Sequence, residues 1–400
     1  MNAPCGPTGA AAGRAHTGEL AFANARLVLP DQVMSGSLRV RDGLIATIDC
    51  GTSVPGGAVD LQGDYLIPGL VEIHTDNLER HLMPRPRVHW AELPALLAHD
   101  AEIAAAGITT VFDAVGVGEA DSASLRGSAW NGVVSALRNC VQRDLLRAEH
   151  LLHVRCELPA PNTLELFAPF VDNALVRLIS LMDHTPGQRQ FEDIDQARVY
   201  YIGKKGWSEE KFQSKVAQAP LMQAEYARPH RQYFVEYARE RGIVLASHDD
   251  TTLAHVHQAH GEGVSMCEFP TTELAARAAR ACGMVTVMGG PNVVRGGSHS
   301  GNVAASQLAR LGLLDILSSD YVPGSLLSAA LRLVDEQHLS LPQAIATITR
   351  NPARAVGLND RGELVEGLRA DLAQVSLVEV AEGQHHAVVR AVWRHGLRVL

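Results

Sequence analysis

The sequence contains no apolar run of about 18 residues or more, which excludes a membrane-spanning helix. It also lacks an excess of basic residues. With 35 Lys and Arg against 44 Asp and Glu, the net charge of −9 argues against a nucleic-acid binder held by phosphate contacts. Residues 1–18 lack a basic segment followed by an apolar one, so we expect a disordered tail there and no secretion signal.

Cysteine is scarce as well. Six cysteines are scattered over 400 residues without a Cys-X-X-Cys pair, so the sequence does not indicate a disulfide scaffold. We therefore expect reduced thiols and a cytoplasmic protein. With 46% hydrophobic and 20% charged residues, the chain can bury a sizeable core. Its length suits two or three domains, or one large α/β barrel with an appendage.

Short apolar runs alternate with longer helix-like segments from Tyr65 onward, which is typical of βα units and a parallel sheet. Eight such runs are candidate strands. They are residues 66–74, 108–115, 151–158, 175–184, 243–249, 264–270, 284–290 and 314–320. The pattern predicts an α/β protein whose main body, residues 65–351, is a (β/α)8 TIM barrel.

The two ends of the chain have a different pattern from the middle. Residues 19–64 and 352–400 alternate apolar and polar positions between turn residues, as antiparallel strands do. We expect both segments to form one small β-sandwich domain beside the barrel. Residues 185–241, between the fourth and fifth candidate strands, are an unusually long insertion and are expected to serve the function.

Histidine and acidic residues occur at the ends of five of the eight candidate strands. They are His74 and Asp76, Glu157, Asp183 and His184, His248 with Asp249 and Asp250, and Asp320. A single residue of this kind often only caps a helix. Because the carboxyl ends of barrel strands meet at one mouth, the set as a whole predicts a metal centre. Nitrogen and oxygen donors suit zinc, manganese, iron or nickel.

Three segments resemble signatures of the amidohydrolase superfamily. They are LIPGLVEIHTD at the first strand, GITTVFDA at the second, and NPARAVGLNDRGELVEGLRADLAQV at residues 351–375. The resemblance implies a metal-bearing (β/α)8 barrel with a β-sandwich made from both chain ends. Two positions depart from the usual pattern: Asp76 replaces the second histidine of strand one, and strand four has no lysine that could be carbamylated. Glu157 is expected to replace that lysine, as a glutamate does in the sugar-phosphate deacetylase branch.

A longer resemblance points to one branch, the ribose 5-triphosphate diphosphatases of the carbon–phosphorus lyase pathway. EIHTDNLERHLMPRPRVHW (72–90) is similar to the HTDNLE-X-H-X-X-PRP-X-X-X-W segment of that family. HVRCELP, SLMDHTPGQRQF, YYIGKKG, ASHDDTT, CEFPTT and GGPNVVRGGSHSGN follow in the same order. The resemblance implies hydrolysis of a phosphonylated ribose 5-triphosphate with release of pyrophosphate, as a step of phosphonate catabolism.

The superfamily's general plan implies two divalent ions, with zinc, manganese or iron as candidates. The expected ligands are His74, Asp76 and Asp320 for one ion, and His184 and His248 for the other, with Glu157 bridging. A one-residue shift in a strand exchanges neighbouring side chains, so alternatives stay open. They are Asp183, Asp249 and Glu268. Asp320 is also expected to take the proton from the attacking water.

A triphosphate substrate needs positive charge around the barrel mouth. The candidate residues follow strand one, lie in the long insertion, or follow strand seven. They are Arg80, Arg189, Lys204, Lys205, Arg295 and His299. Arg85 and Arg87 fit a solvated loop equally well. The loop after strand seven lacks the Gly-Lys-Ser/Thr of a P-loop, but barrels often bind phosphate at that position.

Two other functions compete with this prediction. An amidohydrolase acting on a C–N bond, of the amino sugar phosphate deacetylase or cyclic amidase type, would use the same metal chemistry on a carbonyl group and need fewer cations. A non-catalytic barrel scaffold would have lost its metal ligands, whereas the ligand positions of this sequence are filled. The sequence leaves open the identity of the metal and whether the protein forms a homo-oligomer.

Overall fold

The computed structural model describes residues 15–85, 88–118, 126–187, 189, 194–204, 206–298, 301–336, 338–381 and 384–400. The strands are β1 (Glu19–Val28), β2 (Val33–Arg41), β3 (Leu44–Cys50), β4 (Val59–Asp60), β5 (Tyr65–Pro68), β6 (Leu70–Thr75), β7 (Ile108–Val117), β8 (Glu149–Glu157), β9 (Val176–Met182), β10 (Val244–His248), β11 (Met266–Glu268), β12 (Val285–Gly289), β13 (Ile316–Ser318), β14 (Leu372–Ala381), β15 (Gln384–Arg394) and β16 (Leu397–Arg398). The helices are α1 (Asn77–Leu82), α2 (Glu92–Ala105), α3 (Arg126–Gln142), α4 (Thr163–Phe167), α5 (Ile194–Arg198), α6 (Glu209–Met222), α7 (Arg228–Arg241), α8 (Leu253–Gly261), α9 (Glu273–Ala281), α10 (Gly290–Arg295), α11 (Ala305–Arg310), α12 (Ser325–Asp335), α13 (Leu341–Ala346) and α14 (Arg350–Ala355).

Strands β6 to β13 form a parallel barrel in chain order. A parallel bridge between Thr75 and Asp320 joins the last strand to the first. Each of the eight predicted runs overlaps one of these strands. The strands are buried on both faces, against the barrel interior and against the helices, which explains why they read as continuous apolar runs. The predicted (β/α)8 barrel is confirmed.

The first predicted strand, 66–74, divides at Gly69 into two strands of different sheets. Tyr65–Pro68 pairs with β1 and β14 of the terminal sheet, and Leu70–Thr75 begins the barrel. A Cβ atom on residue 69 would lie 2.4 Å from Oγ1 of Thr109. Only glycine therefore lets the chain pass between the sheets at this point.

The second sheet joins both ends of the chain. Its order is β16-β15-β14-β5-β1-β2-β3, with β4 paired to β1. The small β-sandwich predicted from both chain ends is confirmed as an additional sheet domain beside the barrel, and its strands belong to one eight-stranded sheet. Glu149, at the start of β8, fixes the C-terminal segment to the barrel, because its Oε2 accepts hydrogen bonds from Arg361 (2.8 Å) and Arg369 (2.6 Å). These contacts lie at the amino end of β8. The predicted metal ligands lie at the carboxyl ends of the strands.

The loops after β10 and β11 end in helix caps that the sequence encodes directly. Thr252 accepts a hydrogen bond from the backbone N–H of His255 and starts α8, and Thr272 does the same for Ala275 in α9. The insertion of residues 185–241 contributes helices α5 to α7 where it is described. Within the described part of the chain, no helix is long and apolar enough to cross a membrane.

Candidate metal centre

Four groups of described side chains could bind metal, and two of them consist entirely of residues at the carboxyl ends of the barrel strands. The first, called the His74 group, consists of His74, Asp76 and Asp320. The second, called the His184 group, consists of His184, His248 and Asp249. Within each group, the ligand atoms lie within 4.8 Å of one another. Five of the six predicted ligands belong to these groups, and Asp249, which the sequence left as an alternative, completes the second.

Hydrogen bonds set the orientation of both histidines in the His184 group. Nδ1 of His184 is 2.5 Å from Oε2 of Glu157, whose Oε1 accepts the backbone N–H of the same histidine at 2.9 Å. Nδ1 of His248 is 3.4 Å from Oε2 of Glu268. A carboxylate at Nδ1 favours the tautomer with its proton there, so each Nε2 is the nitrogen available to a metal. Glu157, predicted as the bridging ligand, thus engages His184 through both of its oxygens.

The donor atoms of the His184 group fit a divalent cation. Oδ2 of Asp249 lies 3.6 Å from Nε2 of His184 and 3.5 Å from Nε2 of His248. This oxygen is buried and has no hydrogen-bond partner among the described residues. Ligand atoms about 2.1 Å from a tetrahedral ion lie roughly 3.4 Å apart. A zinc-like cation requires donors at this spacing. The buried carboxylate oxygen that lacks a partner and the two imidazole nitrogens meet this requirement.

Glu268 supports both groups from inside the barrel. Its Oε1 is 3.0 Å from Nδ1 of His74, and its Oε2 accepts from Ser180 at 2.5 Å in addition to its contact with His248. Burial would raise the pKa of Glu268, but the surrounding histidines outweigh it and hold the pKa well below the usual range. The carboxylate is therefore charged and orients His74 and His248 together.

Replacing Glu268 by glutamine should weaken metal binding about 10- to 100-fold, the usual effect of losing a carboxylate behind a ligating histidine. The amide can accept a hydrogen bond through one oxygen only, so one of the two histidines loses its partner. Competition with a chromogenic chelator measures the affinity. Glu273→Gln, on the outer helix α9, serves as the matched control and should bind metal like the wild type; equal affinity in Glu268→Gln would contradict the orienting role.

The His74 group is in contact with a cation, Arg155, that was not among the predicted site residues. Nη1 of Arg155 donates to Oδ1 and Oδ2 of Asp76 at 2.8 and 2.9 Å. Strand alternation places Arg155 on the same face of β8 as Glu157, so the period of two could have identified it. Asp183, the remaining alternative ligand, bonds elsewhere: it accepts from the backbone N–H of Thr185 and from Gln223.

Asp320 is held at the mouth by its own backbone. Its N–H donates to the carbonyl of His74 at 3.1 Å, and its carbonyl accepts the N–H of Asp76 at 2.7 Å. Burial, followed by the charge of Asp76, raises the pKa of its carboxyl group. Asp249, Phe269 and Asp320 all have φ between 51° and 56°, just after three barrel strands. Left-handed backbone at several strand ends is typical of functional sites.

The predicted phosphate-binding residues that the structure describes have different surroundings. Arg80 is exposed and bonds both oxygens of Glu102. Arg189 is buried and donates to the carbonyl of His248 (3.0 Å) and to Asp250 (2.6 Å), and Arg295 is exposed at the end of α10. The other candidates lie outside what the structure describes. They are Lys205, His299 and the side chain of Lys204.

Comparisons with known proteins agree with the fold and the ligand groups described above. A model of the amidohydrolase family matches residues 205–400. The alpha-D-ribose 1-methylphosphonate 5-triphosphate diphosphatase of Escherichia coli (strain K12) is 47% identical over 378 residues, which cover 94% of this chain and 99% of the relative. The structure is similar to N-acetylglucosamine-6-phosphate deacetylase from Pasteurella multocida (TM-score 0.60, 14% identity, 95% of this chain and 99% of that one). It is also similar to 5-methylcytosine deaminase from Klebsiella pneumoniae (TM-score 0.62, 18% identity, 95% and 98%). At these identities the two structures support the fold alone.

Proposed function

The chain belongs to the amidohydrolase family, and from this we propose that it is a metal-dependent hydrolase of alpha-D-ribose 1-methylphosphonate 5-triphosphate that releases pyrophosphate. The observation that carries the proposal is the 47% identity over 99% of a relative named for this reaction. The two ligand groups at the barrel mouth support it, because they supply the nitrogen and oxygen donors that a hydrolytic metal centre needs.

His184, His248 and Asp249 would hold a divalent cation, and zinc, manganese or iron suits their donors. When bound, such a cation lowers the pKa of water toward about 7 and neutralises charge that develops on phosphoryl oxygens. The chain's own contribution is to keep both imidazoles oriented through Glu157 and Glu268. This preorganisation avoids the cost of arranging the ligands during the reaction.

Asp320 would take the proton from the attacking water. The water oxygen forms a bond to the phosphorus nearest the ribose, the bond from that phosphorus to the bridging oxygen breaks, and pyrophosphate leaves with the electron pair. A carboxylate with a raised pKa accepts a proton more readily, and its backbone contacts keep this one beside His74 and Asp76. The leaving pyrophosphate needs cations to neutralise its charge. We propose Arg80, Arg189, Lys204, Lys205, Arg295 and His299 for this task.

The reaction can be tested with purified protein and a ribose 5-triphosphate. We expect one pyrophosphate for each sugar 5-phosphate formed, measured by phosphorus NMR. N-acetylglucosamine 6-phosphate serves as the comparison substrate for C–N hydrolysis. Acetate release without pyrophosphate from any ribose or nucleoside triphosphate would replace the proposal by the amidohydrolase alternative.

Removal of metal should abolish pyrophosphate release. Dialysis against a chelator is expected to reduce the rate to the background, and zinc or manganese should restore it, because the cation that His184, His248 and Asp249 would hold lowers the pKa of the attacking water. Circular dichroism of the dialysed protein is the control for folding. A rate that survives complete removal of metal would contradict the metal-dependent part of the proposal.

A further inference from the structure

We propose that the guanidinium of Arg155 is the resident cation of the His74 group, that it takes the place of a second metal ion, and that it binds a phosphoryl oxygen of the substrate. The centre would then hold one metal ion, in the His184 group, instead of the two ions that the sequence suggested. The phosphoryl contact rests on the proposed function, whereas the number of metal ions does not.

The position of Arg155 carries the first part. Its Nη1 bonds both carboxylate oxygens of Asp76, and its Nη2 lies 3.5 Å from Nε2 of His248. The guanidinium therefore lies between the two ligand groups. Only 17% of the side chain is exposed, so water screens this charge weakly. Both carboxylate oxygens of Asp76 are engaged by short hydrogen bonds, so a divalent ion would have to compete with Arg155 for them, whereas the contact with His248 is long.

The charges of the His74 group are consistent with this substitution. Asp76 and Asp320 are two carboxylates of one group whose oxygens lie within 4.8 Å of each other, so a neighbouring cation is needed to offset their mutual repulsion. Arginine remains protonated under all ordinary conditions. Arg155 therefore supplies that cation permanently, whereas a metal ion binds reversibly and can exchange with solution. The aspartate that replaces the usual second histidine of strand one gives the guanidinium a carboxylate partner, which a histidine would not.

The unpaired donors of Arg155 carry the second part. Its Nε is buried and has no hydrogen-bond acceptor among the residues that the structure describes. Within the described ranges, the only contact of its Nη2 is the long one to His248. A planar guanidinium with two donors to spare matches the oxygens of a phosphoryl group. Because Asp76 and Asp320 adjoin in the same group, this contact would place the phosphorus next to the proposed proton acceptor.

Metal stoichiometry tests the first part without any substrate. Chelator-treated protein is titrated with zinc and with manganese, and bound metal is measured by mass spectrometry after gel filtration. We expect one equivalent in the wild type and in Asp76→Asn, and a second equivalent in Arg155→Met, because His74, Asp76 and Asp320 are then left without their cation. Arg155→Lys keeps the charge and should stay at one. Two equivalents in the wild type, one of which is lost in Asp76→Asn, would overturn the proposal.

Binding of inorganic tripolyphosphate to the metal-loaded protein tests the second part without turnover. We expect the dissociation constant to rise at least about tenfold in Arg155→Met and to recover partly when guanidinium ions are added. In the control Arg177→Met, at the far end of the neighbouring strand β9, it should be unchanged. Pyrophosphate release should fall about 10²- to 10³-fold, as on loss of one donor to a developing oxyanion. If Arg155→Met does not fold, the same two measurements are made on Arg155→Lys.

The outcomes separate this proposal from the proposed function. If the wild type binds one equivalent of metal and Arg155 is needed for tripolyphosphate, but no ribose triphosphate is cleaved, the function is wrong and the role of Arg155 stands. If pyrophosphate is released and tripolyphosphate binds equally well to Arg155→Met, the role of Arg155 is wrong and the function stands.

Discussion

Replacing Asp320 by asparagine is expected to lower the rate of pyrophosphate release about 10²- to 10⁴-fold, the usual contribution of a general base, while the protein keeps its metal. The amide cannot accept the proton of the attacking water. Asparagine tolerates the left-handed backbone at this position (φ 54°), so the bonds to His74 and Asp76 should persist. Steady-state kinetics, together with metal analysis of the same sample, measure both effects.

Two further variants serve as comparisons for this result. His248→Ala removes a ligand and should lose metal and activity together. Asp315→Asn changes an aspartate next to the opposite end of the same strand, where it pairs with Arg280 and accepts the backbone N–H of Thr286. It should leave the rate within about twofold, since this end of the strand lies away from the ligand groups. A full rate in Asp320→Asn would exclude the aspartate as the proton acceptor, and loss of metal would make it a ligand instead.

The ligand groups could be predicted because barrel topology is simple. His74, His184, His248 and Asp320 lie near one another since each ends, or closely follows, a strand of the same parallel barrel. Alternation within a strand, which the sequence also reveals, would have placed Arg155 on the inner face of β8. The role of Arg155 was not predicted, since it depends on Asp76, 79 residues away in the chain.

The supporting carboxylates could not be assigned in this way. Whether Glu157 binds metal or orients His184 depends on which imidazole nitrogen faces it, and a distance of 2.5 Å to Nδ1 is information that only coordinates give. Gly69 is a similar case. The apolar run continues on both sides of Gly69, so the sequence does not show that the chain passes from one sheet to the other there. Only the close approach of Thr109 in the structure shows it.

A buried polar network between α2 and the barrel strands β7 and β8 could not be predicted from the sequence either. His99 of α2 and His150 of β8 both bond the carboxylate of Asp113, at 2.7 and 2.8 Å, and all three side chains are fully buried. Nδ1 of His99 is 3.0 Å from the side-chain amide of Asn77, next to Asp76, so the network supports the segment that carries Asp76. No local motif predicts it, because its members come from separate elements.

The hydrogen bonds determine which histidine is charged. Asn77 donates to Nδ1 of His99, so this ring donates only through Nε2 and is neutral; burial lowers its pKa. His150 has carboxylates at both nitrogens, Asp113 at Nδ1 and Asp100 at Nε2 (3.3 Å). Burial alone would lower the pKa of His150, but these two carboxylates outweigh it and raise the pKa to about 9. The network is a buried imidazolium held between two carboxylates.

Replacing Asp113 by asparagine should therefore lower the free energy of unfolding by about 3–5 kcal/mol, the cost of removing one partner from a buried ion pair. The folded pKa of His150 is above its ordinary value of 6.5, so its stabilisation is complete below about pH 6.5 and is lost as the pH rises toward 9. Wild-type stability should fall by roughly 3 kcal/mol at most over that window, at about 1.4 kcal/mol for each pKa unit. Urea unfolding between pH 6 and pH 9.5 measures both effects.

Asp172→Asn is the matched control, because this aspartate forms an exposed ion pair with Arg241. It should cost no more than about 1 kcal/mol and leave the pH dependence unchanged. In Asp113→Asn the decline between pH 6.5 and 9 should be smaller than in the wild type, since His150 keeps only Asp100 as its carboxylate partner. An equal decline in both proteins would mean that another group titrates there, and a loss below 1 kcal/mol would mean that the network is not an ion pair.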